Sequence, residues 1–529
     1  MEHIGHWYDR DHVGMAVFYP DRVVSDFNSG KYAPGYYWHA IDAGVPLSGQ
    51  PNRFAYVNPR LGFSYDLRGN GDTMIRGGWG SYRFVTQVND VMAAQVTAQH
   101  VLGYSLPGGS NVMLSQLNQL AYKPCSPNPY VCTNSAGATT TSVSGSQTGF
   151  DPGDYGQPLT FAYNFTIDQK LKWNSVLDVA YVGSRTSQLS NNSEGIEGSN
   201  FSAVADQNKT PLGALFKADP KTGIVATNPE SVSASGNNLA DYHPYGLAYG
   251  TNSIYVNQST SYTNYNALQV SWTKTTGKLG YNLNGTWSKT LGTSLQTNPY
   301  DIKLNYGPTS IDRPLVFNAS YYYQTGRIYA FNPVVNQILG GWTISGISTW
   351  QAGGYIPAAL GNGVPNFALG LQYTGVPTGV STALSSKTYF GTDASVPIMP
   401  VLTCNPNSGL KHYQRVNGNC FALPAIGQQG GQNFPYMSAG AYFNNDLAVY
   451  RTFHVHDNQQ VQFRASAFNW LNHPLPGYSS LNPLTLAYKV DYNSKAVTPA
   501  YNASTFGVMD SKTGAPYSRI IELNVKYSF

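Results

Sequence analysis

The last eleven residues, RIIELNVKYSF at 519–529, alternate in character with a period of two. Ile521, Leu523, Val525, Tyr527 and Phe529 fall on one face, and Glu522, Asn524, Lys526 and Ser528 fall on the other. A β-strand points successive side chains to opposite sides, so this segment is a strand with one apolar and one polar face. An apolar face suits lipid and a polar face suits a wet lumen, which is the pattern of a transmembrane β-barrel wall.

The rest of the chain extends that reading. Residues 266–273 alternate likewise: Leu268, Val270 and Trp272 oppose Gln269, Ser271 and Thr273. After a turn at 275–278, Leu279, Tyr281, Leu283, Gly285 and Trp287 oppose Asn282, Asn284, Thr286 and Ser288, giving a hairpin. Further strands are expected at about 54–67, 73–84, 157–171, 174–184, 313–324, 340–351, 440–454 and 459–472. With these the total is eleven. Their connections run short and long in turn. Short ones lie at 68–72, 172–173, 275–278, 326–339 and 455–458. Long ones cover about 85–156, 185–261, 292–312, 352–439 and 473–518. Tight turns on one side and long loops on the other are the outer-membrane pattern, and structureless loops of this length are uncommon in compact soluble domains. If the final strand descends to the periplasm, all the short turns are periplasmic and all the long loops face outside. Residues 1–53 then form the outer loop region before the first strand, and 54–529 the barrel strands and loops.

Composition agrees. Of 529 residues only 11% are charged, against about 25% in an average soluble protein. Aromatics reach 13%, with 40 Tyr, and there are 54 Gly; a disordered chain lacks such aromatics. Mean hydropathy is −0.29, and no apolar run approaches the roughly 18 residues that a spanning helix needs. A net charge of +4 without a basic cluster gives no reason to expect a nucleic-acid partner.

Four cysteines form two local pairs, Cys125 with Cys132 and Cys404 with Cys420, each in a Pro/Asn/Gly-rich stretch. Disulfides pinning loops in an oxidising compartment are the favoured reading. Free thiols or a four-cysteine metal site are the alternatives, although the spacings do not match zinc knuckles. His454, His456 and Asp457 lack the further ligands of a metal site, and Asp9, Asp11 and His12 lack the pattern of a calcium loop. RGNGD at 68–72 is a tight turn using Asn70 and Gly71 rather than a phosphate cradle, because a strand follows instead of a helix. The glycines of RGGWG at 76–80 are expected to make room for neighbouring side chains. Trp287, Trp350 and Tyr527 at strand ends read as interfacial girdle residues. Tyr36, Tyr37 and Trp38, in a loop, are freer to touch ligand. No nucleophile, base or metal motif appears, so no enzyme activity, catalytic residue or cofactor is expected, and no ligand-binding residues can be named.

Seven stretches carry a family resemblance: NPRLGFSYDLRGNGDTMIRGGWGSYRF at 58–84, LDVAYVGSR at 177–185, YNALQVSWTK at 265–274, YNLNGTWSKTLG at 281–292, GGWTISGISTWQAGG at 340–354, VQFRASAFNWLNHP at 461–474 and LNVKYSF at 523–529. In this order they resemble the C-terminal barrel of TonB-dependent receptors, particularly the Oar-like receptors abundant in acidobacteria. The resemblance implies a 22-stranded barrel in the outer membrane, plugged by an N-terminal domain through which TonB supplies energy for uptake of a scarce small solute (a siderophore, glycan, peptide or cobalamin). It also implies that Tyr527-Ser528-Phe529 is the terminal signal read by the barrel-assembly machinery. Eleven strands are half of that barrel, and MEHIGHWYDRDHVG has neither the basic start nor the apolar stretch of a secretory leader. The expectation is therefore a C-terminal barrel portion spanning 1–529, with plug domain and signal peptide absent. Its partners would be outer-membrane lipid, the assembly machinery, the solute, and TonB only through the missing plug. A structural or adhesion barrel, or a passive porin, is the alternative function.

Overall fold

The computed structural model describes residues 14–84, 146–191, 204–293, 298–326, 340–356, 368–430, 437–456, 459–477, 484–512 and 518–529, less positions 32, 52, 54, 155, 310, 395, 397 and 429, together with the short segments 132–133 and 139–140 and residue 335. Asp9, Asp11, His12, Cys125 and Asp457 lie outside the described residues, as does the side chain of His456.

Eleven antiparallel strands follow one another across one sheet in chain order. They are β1 (Arg60–Asp66), β2 (Thr73–Arg83), β3 (Leu159–Leu171), β4 (Ser175–Leu189), β5 (Ser261–Lys274), β6 (Leu279–Gly292), β7 (Leu315–Gln324), β8 (Thr343–Gln351), β9 (Tyr442–His456), β10 (Gln459–Phe468) and β11 (Ile520–Ser528). A two-residue strand at Gly307–Pro308 adds a twelfth member beside β6. The sequence expectation holds for every strand, with differences at the ends. The strand expected at 54–67 begins only at Arg60, and the one expected at 459–472 stops at Phe468, where Asn469 takes a φ of +47° and turns the chain. Among the described residues β1 pairs only with β2, and β11 only with β10, so the sheet is an open wall.

Register carries the two faces without a break from end to end. Ile521, Leu523, Val525 and Tyr527 stand opposite Ala467, Ala465, Phe463 and Val461. The same row set continues through Leu447 and Val449, Trp350 and Phe317, Trp272 and Leu283, then Tyr181 and Phe165. The opposite face carries Glu522, Asn524 and Lys526 against Ser466, Arg464 and Gln462. All the acidic residues of the eleven strands, Asp66, Asp168, Asp178, Asp446 and Glu522, lie on this polar face. Burying a carboxylate in hydrocarbon is costly, so this segregation defines which side meets lipid. Leu523 is 82% exposed and Trp287 68%, as a lipid-facing wall requires.

Glycines serve close cross-strand packing. A Cβ at Gly183 would sit 2.4 Å from the Tyr163 ring, and one at Gly77 2.4 Å from the ring of Phe63. Each ring lies over the glycine directly opposite, an arrangement that shields bare backbone and fixes register. In the first hairpin, Gly69 and Gly71 adopt φ near +70°, and the Asp66 carboxylate accepts the N–H groups of Arg68, Gly69 and Gly71.

The apolar cores lie outside the wall, in the long connections. One joins Ala16, Phe18, Tyr36 and Trp38 to Tyr249, Ile254 and Val256. Another joins Ile356, Met399, Val416, Phe421 and Met437 to Leu484, Leu486, Tyr488 and Phe506. A four-stranded sheet built from Val17–Phe18, Tyr36–Tyr37, Gln147–Phe150 and Ile254–Asn257 stitches the first three long segments together. The described residues of these loops thus form a folded cap. Tyr36, Tyr37 and Trp38 are buried within it, at 0%, 8% and 7% exposure. This corrects the expectation that they are freer to touch ligand: Tyr36 and Tyr37 pair with Phe18 and Val17 in the cap sheet, and all three pack into the cap's cores.

Candidate functional site

Two features of the architecture can handle a solute: the polar face of the wall, and the cap at the loop end. The polar face is a field of hydrogen-bonding groups placed by strand alternation. Near its middle, Asn282, Ser320, Tyr322, Ser345, Tyr450 and Arg464 line a concavity of about 550 Å³. Arg464 Nε donates to Ser466 Oγ at 3.1 Å. Toward the other edge, Arg76 on β2 is ion-paired with Asp168 on β3, and Asp168 stands in register with Asp178 on β4. Neutral amides and hydroxyls with a few fixed charges can bind a polar solute weakly at many points, which favours passage over retention.

The cap is cross-linked between loops by polar groups. His243, on the loop between β4 and β5, places Nε2 2.8 Å from Asp393 Oδ2 on the loop between β8 and β9. This contact is an ion pair when His243 is protonated, and its geometry is not that of a well-aligned hydrogen bond. Burial would lower the His243 pKa, but the Asp393 carboxylate and the Asn208 carbonyl, 2.5 Å from Nδ1, outweigh it and the net shift is upward. Burial likewise pushes Asp393 up, and His243 and Thr210 more than reverse it, so its carboxyl is held below the ordinary range. Around this pair the Thr392 hydroxyl donates to the Thr210 carbonyl at 2.6 Å and stands 2.6 Å from the Tyr300 hydroxyl. Tyr300 belongs to the loop between β6 and β7, so three loops meet here, and burial raises its pKa to about 12. Backbone bonds seal the same junction: Gly213 N–H donates to Phe390 O at 2.8 Å and Leu215 N–H to Gly391 O at 2.9 Å. Nearby, the Glu230 carboxylate accepts the Ser385 N–H at 2.7 Å and the Thr388 hydroxyl at 2.7 Å, capping the short helix Ser386–Phe390 from another loop.

Sequence reasoning missed this junction, since nothing local in the pattern links His243 with Asp393. The residues it did single out are distributed otherwise. Cys404 and Cys420 are disulfide-bonded in the cap, with Cα atoms 4.7 Å apart. Cys132 lies in the two-residue strand Cys132–Thr133. His454 and His456 fall at the end of β9, at a short turn. Tyr527 and Ser528 close β11, and the rings of Tyr527 and Phe529 stand 5.8 Å apart on the lipid side. Trp287 and Trp350 share that side at the loop ends of their strands, and Tyr527 lies at the opposite end, so aromatics mark both margins of the apolar band.

A lipid-facing band, a polar inner face and loops confined to one end define a wall of an outer-membrane β-barrel. The chain belongs to the outer membrane beta barrel domain family, whose profile matches residues 2–522. Among solved structures it is similar to the outer membrane transporter YddB from Escherichia coli, at 10% identity and a TM-score of 0.36, covering 88% of this chain and 40% of that one. It is also similar to the siderophore receptor PirA from Acinetobacter baumannii, at 11% identity and a TM-score of 0.36, covering 89% and 41%. For FpvA from P. aeruginosa, solved with a bound ferric pyoverdine, the values are 9%, 0.31, 88% and 32%. The chain therefore spans well under half the length of these structures. No curated protein matches it. The chain is an outer-membrane β-barrel protein, similar to the transporters and receptors of that membrane.

Proposed function

We propose that this chain is the C-terminal barrel portion of a TonB-dependent receptor of the Oar-like type, and that the whole receptor takes up a scarce small solute. The observation that carries this reading is the pairing of a polar-lined wall with a large folded cap. The cap can hold a solute at the outside, and the inner face can pass it on once a plug is displaced. In this reading the short turns face the periplasm and the cap faces outside. Further strands complete the free edges of β1 and β11, since unpaired backbone is not tolerated in lipid. Tyr527-Ser528-Phe529 serves as the assembly signal. TonB acts through a plug domain that this wall surrounds, and the wall itself performs no covalent chemistry.

The test is uptake in cells carrying the intact receptor. Accumulation of labelled ferric siderophores, oligosaccharides, peptides and cobalamin is compared with and without the receptor gene, and with the proton motive force collapsed. Receptor-dependent and energy-dependent accumulation of one class is expected. Steady, energy-independent conductance of the purified receptor in planar bilayers would instead establish a porin.

A further inference from the structure

Charge is spread unevenly over the inner face of the wall. On β1 to β4 the inward rows carry Arg60, Asp66, Arg76, Asp168, Lys170 and Asp178. On β9 to β11 they carry Asp446, Arg464, Glu522 and Lys526. Between these flanks, the inward rows of β5 to β8 hold no Asp, Glu, Lys, Arg or His. Four strands spaced about 4.8 Å apart make this a charge-free stripe roughly 15–20 Å wide, running the height of the wall. A face that merely meets water carries charges of both signs, as the flanking strands do.

In place of charge the stripe carries rows of hydroxyls and amides. Ser271, Asn284, Asn318 and Thr349 are successive register partners across it, and Thr273, Asn282 and Ser320 form the next row. Gln269 and Asn318 are exposed, and neither side-chain amide has a hydrogen-bond partner among the described residues. Such an amide offers donors and an acceptor without net charge. The Tyr322 ring lies across Gly280, filling the place a Cβ would take, and its hydroxyl donates to Thr275 O at 2.8 Å. The ring is thereby pinned to the wall, where with Ser320 and Ser345 it borders the 550 Å³ concavity. This chemistry discriminates among solutes. An ion entering the lumen gives up hydration and finds no countercharge on the stripe. A neutral molecule dense in hydroxyls exchanges its bonds to water for bonds to these groups, each worth about 0.5–1.5 kcal/mol, and can rest the C–H face of a sugar ring on Tyr322. Many similar weak contacts let it step from row to row.

We infer that the stripe on β5 to β8 is the path of an uncharged oligosaccharide. The inference rests on the proposed role of the chain in a solute-uptake barrel, and it names the solute class and the strands that carry it. The charged flanks then bound the path on either side, and the concavity beside Tyr322 is its widest resting place.

The test uses the full chain in phosphatidylcholine nanodiscs, with empty nanodiscs as the blank, and reads binding by saturation-transfer NMR on the ligand. The neutral probes are maltohexaose, cellohexaose, xylohexaose and chitohexaose. Hexagalacturonate, ferrioxamine B and cyanocobalamin are the comparison ligands. Asn318→Leu and Gln269→Leu each remove one amide from the stripe at similar size, and Asn524→Leu, on the inner face of β11, is the control outside it. At least one neutral hexasaccharide should bind, with each comparison ligand at least about tenfold weaker. Its affinity should fall about fivefold in Asn318→Leu and in Gln269→Leu, and stay within about twofold of wild type in Asn524→Leu. Binding of no neutral hexasaccharide overturns the inference, as does a comparison ligand binding as tightly as the best of them. An equal loss in Asn524→Leu overturns the placement on β5 to β8. The comparison among ligands is made on the wild type, so it stands whether or not a variant folds. Binding needs no energy source and nanodiscs expose both ends of the wall. A chain that binds the hexasaccharide while intact cells show no energy-dependent accumulation would therefore refute the TonB-dependent reading and leave the sugar path in place.

Discussion

Replacing Asp393 with Asn should loosen the junction between loops while leaving the wall intact. The His243 and Asp393 side chains are only 4% and 15% exposed, so the pair is scarcely screened by solvent. Removing one member of a buried ion pair typically costs about 3–5 kcal/mol. Asn keeps the shape and one acceptor, so about 2–3 kcal/mol is expected here. At about 1.4 kcal/mol per factor of ten, local opening becomes roughly 30- to 150-fold more frequent. Hydrogen exchange at the amides of Gly213 and Leu215 reads this directly, because they donate across the junction to Phe390 and Gly391. The pH dependence has a definite sign. His243 has a raised folded pKa, so its contribution is complete below its ordinary 6.5 and is lost as pH rises through the folded value. Asp393 has a lowered folded pKa, so its contribution is complete above its ordinary 3.8 and is lost as pH falls through the folded value. Between these two ordinary values both contributions are complete. Protection, corrected for intrinsic exchange, should therefore be greater at about pH 5.5 than at about pH 8.5 in the wild type, and the difference should shrink in Asp393→Asn. Protection at Gly213 and Leu215 within threefold of wild type, with an unchanged pH profile, would refute the reasoning.

Other perturbations address the wall and the cap. Leu523→Arg puts a charge in the lipid-facing row and should cost up to about 2–4 kcal/mol of membrane stability, whereas Asn524→Arg on the polar face should be nearly neutral; urea titration in bilayers measures both. Gly183→Val drives a side chain into the Tyr163 ring and should destabilise the β3–β4 pairing by about 1–3 kcal/mol, seen as a lowered unfolding midpoint. Joint replacement of Cys404 and Cys420 by Ser opens a closure of 16 residues, about 3 kcal/mol on the chain-entropy account, and should speed protease cleavage within 401–422 without shifting the barrel transition.

The wall was legible in the sequence because strand alternation is local: each of β1 to β11 announces its faces within about ten residues. The alternation of short and long connections was legible for the same reason. The strand end at Asn469 was not, because a positive φ at asparagine breaks a strand without any change in polarity pattern. The cap escaped reading because its cores join segments far apart in the chain. The Tyr249 hydroxyl, for instance, donates to Pro34 O at 2.6 Å. In sequence, Tyr36, Tyr37 and Trp38 look like exposed loop aromatics; Tyr36 and Trp38 pack with Tyr249, Ile254 and Val256, and Tyr37 with Val17, Val45 and Phe150, contacts that only the folded cap brings together. The His243–Asp393 junction likewise exists only once separate loops have folded together.

The most direct test of the two-faced wall returns to its last strand. Nitroxide labels are placed singly at each position from Ile521 to Lys526 in the membrane-inserted protein, and their collision rates with oxygen and with a water-soluble nickel chelate are compared. Labels at 521, 523 and 525 should meet oxygen preferentially, and labels at 522, 524 and 526 the nickel chelate, with a period of two. Uniform water access, or a period near 3.6, would contradict the barrel wall.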